Sequence, residues 1–259
     1  MTTDAFEKAL AAGPKKIALL NQHFLIYLLS ALQAGAYLTI VGFVFWMIRE
    51  KFGVDDPTGK ILSSLFFGVG LSIIVFTATE LFTSNNFYLA LSTFARRTTL
   101  PATLQLWAVC WVGNFMGAIL VGLLLFGAGA LSSLAPTHAL LDGAQHKIEL
   151  SSSAIFFKGI LANWIVCLAV WVNLHLKDEI ARLFAIILIV FIFLFLGFEH
   201  SIANMGLFSL AYLADSTISL SGIGHNLLWS TLGNIVGGAI GLGLVIWCME
   251  APQKNSSIP

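Results

Sequence analysis

Two short polar runs interrupt an otherwise apolar chain. The first is Thr77-Ala78-Thr79-Glu80-Leu81-Phe82-Thr83-Ser84-Asn85-Asn86, and the second is Gly197-Phe198-Glu199-His200-Ser201-Ile202-Ala203-Asn204. Each holds a glutamate followed by hydrogen-bonding side chains, with apolar sequence on both sides. An ion in such surroundings costs about 2.5–3.5 kcal/mol on membrane-insertion scales. Glu80 and Glu199 therefore need a purpose. One is structural, accepting N–H bonds from unwound backbone; the other is to carry protons. His200 is the only histidine inside an apolar segment. An imidazole with an ordinary pKa of about 6.5 changes charge with modest changes of environment. Thr83 and Ser84 could hydrogen-bond a passing molecule or satisfy freed carbonyls. No second metal ligand stands three or four residues from His200, and no nucleophile–base pair is visible, so neither a metal site nor an enzyme is expected. No cofactor is expected either.

The segments that must position these residues are hydrophobic. Of 259 residues, 58% are hydrophobic and 10% charged, with 13 basic and 13 acidic side chains. The mean hydropathy is +0.90. A soluble domain carries about 25% charged residues, so the chain reads as an integral membrane protein. Thirteen dispersed Lys and Arg residues assemble no basic face, which excludes a nucleic-acid partner. Cys110, Cys167 and Cys248 lie in apolar stretches without a CxxC pair and read as free thiols.

Six stretches are long enough to cross a bilayer, which takes about 20 apolar residues. They are roughly 24–48, 61–95, 102–131, 154–174, 181–213 and 226–249. The second and fifth are over-long and hold the polar runs. Non-helical backbone at membrane depth is tolerated where protein buries it or a wet cavity adjoins it. Two broken helices at matching places suggest inverted three-helix repeats, at about 24–131 and 154–249. Residues 24–249 then form one transmembrane unit. Residues 1–23 form an interfacial or cytoplasmic segment, and 250–259 a cytoplasmic tail. Early acidic residues, Asp4 and Glu7, argue against a secretory signal. With the N-terminus inside, eight basic residues fall on the cytoplasmic side and five opposite, so both termini are expected inside a cell membrane. Gly233, Gly237 and Gly241 form one close-packing stripe.

The motifs resemble those of the formate/nitrite transporter family. The resemblance rests on Glu80-Leu81-Phe82-Thr83-Ser84, Gly159-Ile160-Leu161-Ala162-Asn163, Gly197 through Met205, and Gly233-Asn234-Ile235-Val236-Gly237-Gly238. Ala34-Gly35-Ala36-Tyr37 and Gly113-Asn114-Phe115-Met116-Gly117 match more weakly. Together they cover about 25 to 240. The resemblance implies an all-α, aquaporin-like protomer of six helices with a 3+3 inverted repeat, assembled as a homopentamer with one pore per protomer. It implies transport of small monovalent weak-acid anions such as formate, nitrite, hydrosulfide, acetate or lactate. By matching position, Thr83 faces His200 at the pore centre. Phe67, Leu71, Leu81, Phe82 and Phe193 form constrictions, Lys147 lies near the outer side, and Asn163 and Asn234 are pore-adjacent polar residues. Glu80 replaces the Asp of some formate-type members, which leaves the preferred anion open.

A mechanism follows as an expectation. Lys147 or Lys158 attracts the anion. Apolar constrictions then penalise its charge, so it takes a proton, from water or from His200, and crosses as the neutral acid. Asn204 supports the second polar run. The partners are the anion or its conjugate acid, protons and membrane lipids. The alternatives are an electrogenic anion channel for nitrite or hydrosulfide with a charged His200, and a pore-free membrane scaffold.

Overall fold

Asp56, Thr99, Ser151, Asp178 and Ser219 each open an apolar run by accepting the backbone N–H three residues on. Such caps satisfy donors that a helix start otherwise leaves bare. The computed structural model describes residues 4–250, so the tail beyond Glu250 lies outside the described residues. The order is α1 Asp4–Gln22, α2 Phe24–Phe52, α3 Pro57–Phe76, α4 Phe82–Phe94, α5 Leu100–Gly127 and α6 Ala139–Glu149. Then come α7 Ser152–His175, α8 Glu179–Phe195, α9 Ser201–Ala214 and α10 Leu220–Val236. A π-helical stretch, Gly237–Leu244, leads into α11, Val245–Glu250.

Five helical stretches are long and apolar enough to cross a membrane: α2, α3, α5, α7 and the continuous run Leu220–Glu250. The fifth hydrophobic segment of the sequence is divided into α8, 17 residues, and α9, 14 residues. The second is likewise divided into α3 and α4. The connection expected over 132–153 contains the helix α6. Phe6 and Leu10 on α1 are buried against Phe87, Leu91, Cys167 and Val170, so this helix packs into the protein. Large apolar side chains such as Leu124, 64% exposed, and Phe184, 60% exposed, face outward, as a lipid-facing surface requires.

Glycines set two tight crossings. A Cβ on Gly35 of α2 would run into the carbonyl of Asn114, and one on Gly117 of α5 into the carbonyl of Leu32. On the other side, Gly233 and Gly237 meet the carbonyls of Phe156 and Ile160 on α7, and Gly241 meets the ring of Trp164. The small-residue stripe therefore faces α7, where close backbone approach replaces side-chain interdigitation. Across the middle, Gly68 of α3 lies against Ile187 of α8.

Both half-helices end in the same way. The N–H of Ala78 bonds to Val75 and that of Thr79 to Ile74; the N–H of Gly197 bonds to Leu194 and that of Phe198 to Phe193. Ala78 and Gly197 take left-handed conformations, φ 54° and 68°. This closure satisfies the last carbonyls of a helix and turns the chain back toward the centre.

Candidate functional site

The two turned segments, 77–81 and 196–200, deliver the polar runs. Free N–H groups at Phe82 and Ser201, and free carbonyls at Glu80 and Glu199, must be answered in a buried setting. Two asparagines do this. Asn114 Oδ1 accepts from the Phe82 N–H at 2.9 Å, while its Nδ2 gives to the carbonyls of Glu80 at 2.9 Å and Ala31 at 2.7 Å. Asn234 Oδ1 accepts from the Ser201 N–H at 2.8 Å, and its Nδ2 gives to the carbonyls of Glu199 and Gly159, both at 2.9 Å.

The carboxylates are used differently from the structural role expected of them. Neither collects unwound N–H groups; each binds a lysine and an asparagine. Glu80 receives Lys16 Nζ at 2.7 and 2.8 Å and Asn85 Nδ2 at 2.8 Å. Glu199, 1% exposed, receives Lys147 Nζ at 2.6 Å, Asn204 Nδ2 at 2.6 Å and Asn226 Nδ2 at 3.2 Å. The reason is the inventory of each group. A carboxylate only accepts, whereas the turned backbone offers a donor and a carbonyl together, which an amide side chain matches.

His200 is the cap of α9. Its Nδ1 accepts the backbone N–H of Ala203 at 3.1 Å. A backbone N–H can only donate, so Nδ1 carries no proton and the ring proton sits on Nε2. Nε2 then donates to Thr83 Oγ1 at 3.0 Å. The Thr83 hydroxyl, having accepted that bond, keeps its own hydrogen as a donor. Asn163 Nδ2 and Cys167 Sγ hold the Thr83 carbonyl at 3.2 and 3.4 Å. Asn163 Nδ2 also reaches Asn86 Oδ1 at 3.0 Å and the Asn234 carbonyl at 2.6 Å. The Ser84 hydroxyl is buried without a hydrogen-bond partner among the described residues.

Around this pair the lining is apolar. A void of about 10 Å³ is bounded by Leu38, Phe67, Leu71, Leu81, Val166, Val190, Phe193 and His200. One water needs about 10–15 Å³, so the passage is pinched. Phe193 stacks on the His200 ring with centroids 5.7 Å apart, and Phe67 meets Phe193 edge-on at 6.3 Å. Of the expected constriction residues, Phe67, Leu71, Leu81 and Phe193 line this void, and Phe82 does not. Phe82 opens α4 with its N–H tied to Asn114 and its ring in the core.

Beyond Phe67 and Phe193 lies a vestibule of about 460 Å³ reaching α6. Arg49, Lys60, Lys147 and Lys158 line it, with Asp142 and Glu199. Lys147, expected as an anion attractor, lines the vestibule and is paired with Glu199. Lys158 forms no ion pair among the described residues. Toward the opposite face, Lys16 also lies over the Tyr88 ring at 5.5 Å, and Arg182 lies over Phe76 at 5.1 Å while bonding Asn173. Among the described residues no cluster of His, Cys, Asp and Glu could hold a metal. Lys16, Asn114, Asn226 and Arg49 are site residues that sequence reasoning misses. A signal exists for Asn114, since Gly113-Asn114-Phe115-Met116-Gly117 repeats the pattern of Gly233-Asn234-Ile235-Val236-Gly237.

Known proteins are similar to this chain in sequence and fold over most of its length. The family model described as formate/nitrite transporter matches residues 3–248. The nitrite transporter NirC of Escherichia coli (strain K12) is 34% identical over 100% of this chain and 96% of its own length. An FNT family ion channel superposes with a TM-score of 0.89 at 31% identity, covering 95% of this chain and 98% of that one. A pentameric formate channel with formate bound superposes with a TM-score of 0.73 at 27% identity, covering 86% and 96%.

Proposed function

The chain belongs to the formate/nitrite transporter family, and on that footing we propose that it moves small monovalent weak-acid anions, of formate or lactate type, together with a proton. Membership puts it among membrane transporters rather than enzymes and sets aside the scaffold alternative. Likeness to a pentameric formate channel supports a homopentamer with one path per protomer. The proposed protomer has six spans in inverted three-helix halves, the second and fifth broken. Its termini are cytoplasmic in a cell membrane, which makes the lysine-lined vestibule the outer mouth.

The observation that carries this proposal is that His200, hydrogen-bonded to Thr83, is the one polar residue in the wall of an apolar void. An anion drawn into the vestibule meets Phe67, Phe193, Leu71 and Leu81, none of which can solvate its charge. Desolvation favours the neutral acid. The anion takes one proton from vestibule water, crosses as the acid, and releases that proton on the far side, so one proton accompanies each anion. Thr83 Oγ1 offers its hydrogen to an acid oxygen on the way. His200 serves as a neutral partner, because its only proton is given to Thr83 and its other nitrogen caps α9.

The electrogenic alternative needs a charged His200, whose second ring proton would displace the Ala203 N–H. Uptake of labelled formate, nitrite, hydrosulfide and lactate into proteoliposomes at two pH values, with internal pH recorded, is the test. Proton entry in step with the anion is expected. Flux with a matching current and no proton movement refutes the proposal.

A further inference from the structure

The half that contributes the hydroxyl carries a side-chain cluster that its counterpart lacks. Asn163 and Cys167 stand one turn apart on α7, and Asn86 follows Thr83 by one turn on α4; all are buried. The Thr83 carbonyl receives Asn163 Nδ2 at 3.2 Å and Cys167 Sγ at 3.4 Å. The Asn163 amide is held in turn by Asn86 Oδ1 at 3.0 Å and the Asn234 carbonyl at 2.6 Å, and Cys167 Sγ also lies 3.4 Å from Asn163 Oδ1. Gly238, in the π-helical stretch, closes the cluster. A Cβ there would lie 2.6 Å from Asn163 Nδ2, 2.8 Å from Asn86 Cβ and 3.1 Å from Cys167 Sγ. Asn86 Nδ2 is buried with no acceptor among the described residues, a cost that packing alone gives no reason to keep. Scaffold need does not explain the cluster either. Under the proposed inverted repeat, Ala31 matches Gly159, since their carbonyls take Asn114 and Asn234. Asn163 then matches Gly35, which has no side chain, and Cys167 matches Thr39, whose hydroxyl turns back to the Gly35 carbonyl at 2.8 Å. Thr83 matches Ile202, and the two donors on the Thr83 carbonyl have no counterpart there among the described residues.

We propose that Asn86 and Cys167, acting with Asn163, are positioning residues for Thr83. They fix its carbonyl, and with it the first turn of α4, so that the hydroxyl stays 3.0 Å from His200 Nε2. None of the three lines the apolar void or the vestibule, so they act on the cargo only through the Thr83–His200 pair. The proposal rests on that pair being the transport centre, and it names what holds the pair together. Loosening the brace slows the crossing and leaves entry of the anion alone. The maximal rate therefore falls while half-saturation stays put, as for an interaction used only at the barrier.

The experiment uses the full chain. Uptake of labelled formate into proteoliposomes, normalised to inserted protein, gives the maximal rate and the half-saturation concentration. Cys167→Ala and Asn86→Ala should each lower the maximal rate about three- to tenfold, the scale of one neutral hydrogen bond, with half-saturation within about twofold of wild type. Cys167→Ser keeps a donor beside the same carbonyl and should stay closer to wild type than Cys167→Ala. Added to Thr83→Val, Cys167→Ala should bring no further loss, because no hydroxyl remains to be placed. A second readout needs no transport. In protein labelled with ¹⁵N-histidine, the resonance that Thr83→Val displaces belongs to His200 Nε2, and Cys167→Ala and Asn86→Ala should displace it in the same direction. If Asn86→Ala does not assemble, the two Cys167 variants carry the test. An undisplaced His200 resonance, or an additive loss in the double variant, overturns the brace even if wild type transports. Displacement in a protein that moves no anion upholds the brace and overturns the transport proposal instead.

Discussion

Removing Lys147 alone should damage the protein more than removing Lys147 and Glu199 together. Glu199 is 1% exposed in its side chain and Lys147 17%, with 2.6 Å between them. Lys147→Met leaves a buried carboxylate held only by Asn204 and Asn226. Stranding one member of a buried pair costs about 3–5 kcal/mol, while replacing both with neutral groups of similar size is often nearly neutral. The two asparagine donors and the partial exposure of Lys147 place the cost at the lower end, about 3 kcal/mol. At about 2–4 °C per kcal/mol for a chain of this size, the thermal midpoint should fall by roughly 6–12 °C. Lys147→Met/Glu199→Gln should recover most of that loss, since Gln still accepts from Asn204. The assay is thermal unfolding of the solubilised protein by intrinsic fluorescence, with both variants beside wild type. A single variant as stable as the double would refute the reasoning. Lys147 would then be an anion attractor whose contact with Glu199 contributes little.

Three further outcomes follow from the same geometry. Asn114→Leu and Asn234→Leu each remove three hydrogen bonds, two of them at a helix break and one to a neighbouring helix, and should destabilise by roughly 2–4 kcal/mol, read as lost assembly on size-exclusion chromatography. Gly197→Ala meets no atom within 4 Å, so its cost is the left-handed backbone alone, about 1–2 kcal/mol, and Ala78→Gly should stabilise by a similar or smaller amount in the same melting assay. Thr83→Val removes the hydroxyl that accepts from His200; transport should fall at least about tenfold while Thr83→Ser retains most of it, measured as initial uptake rate.

Both breaks are legible in the sequence because a cluster of polar residues deep in an apolar run is costly unless the helix opens there and protein encloses it. Thr83 and His200 are legible as a pair only through resemblance, since 117 residues separate them. The lysine partners are not legible. Lys16 stands 64 residues from Glu80 and Lys147 stands 52 from Glu199, and nothing in local periodicity links them. Helix α6 is hidden in what reads as a polar connection, because 11 residues held partly by tertiary contacts give a weak pattern. The neighbours of the two carboxylates differ from the expected backbone donors for a physical reason. Their burial follows from the apolar flanks, but a buried ion first seeks an opposite charge, and the amides are left to complete the backbone.

Under the proposed inverted repeat, the halves agree wherever the scaffold must be held. Asn114 and Asn234, Ala78 and Gly197, Glu80 with Lys16 and Glu199 with Lys147 do the same work on opposite faces. The halves differ at the centre. After the glutamate, the first half presents Leu81-Phe82-Thr83 and the second His200-Ser201-Ile202. His200 therefore stands where the other half has Leu81, and Thr83 where the other half has Ile202. The hydrogen bond between them exists only because the repeat is imperfect there. A symmetric centre would give either two apolar plugs or two histidines facing each other. One neutral imidazole against one hydroxyl instead places a single hydrogen-bonded pair beside an otherwise apolar passage, with His200 in its wall. Under the proposed mechanism that pair suffices to orient an uncharged acid and is too little to solvate its anion, so the selectivity for protonated cargo that we propose traces to the place where the two halves diverge.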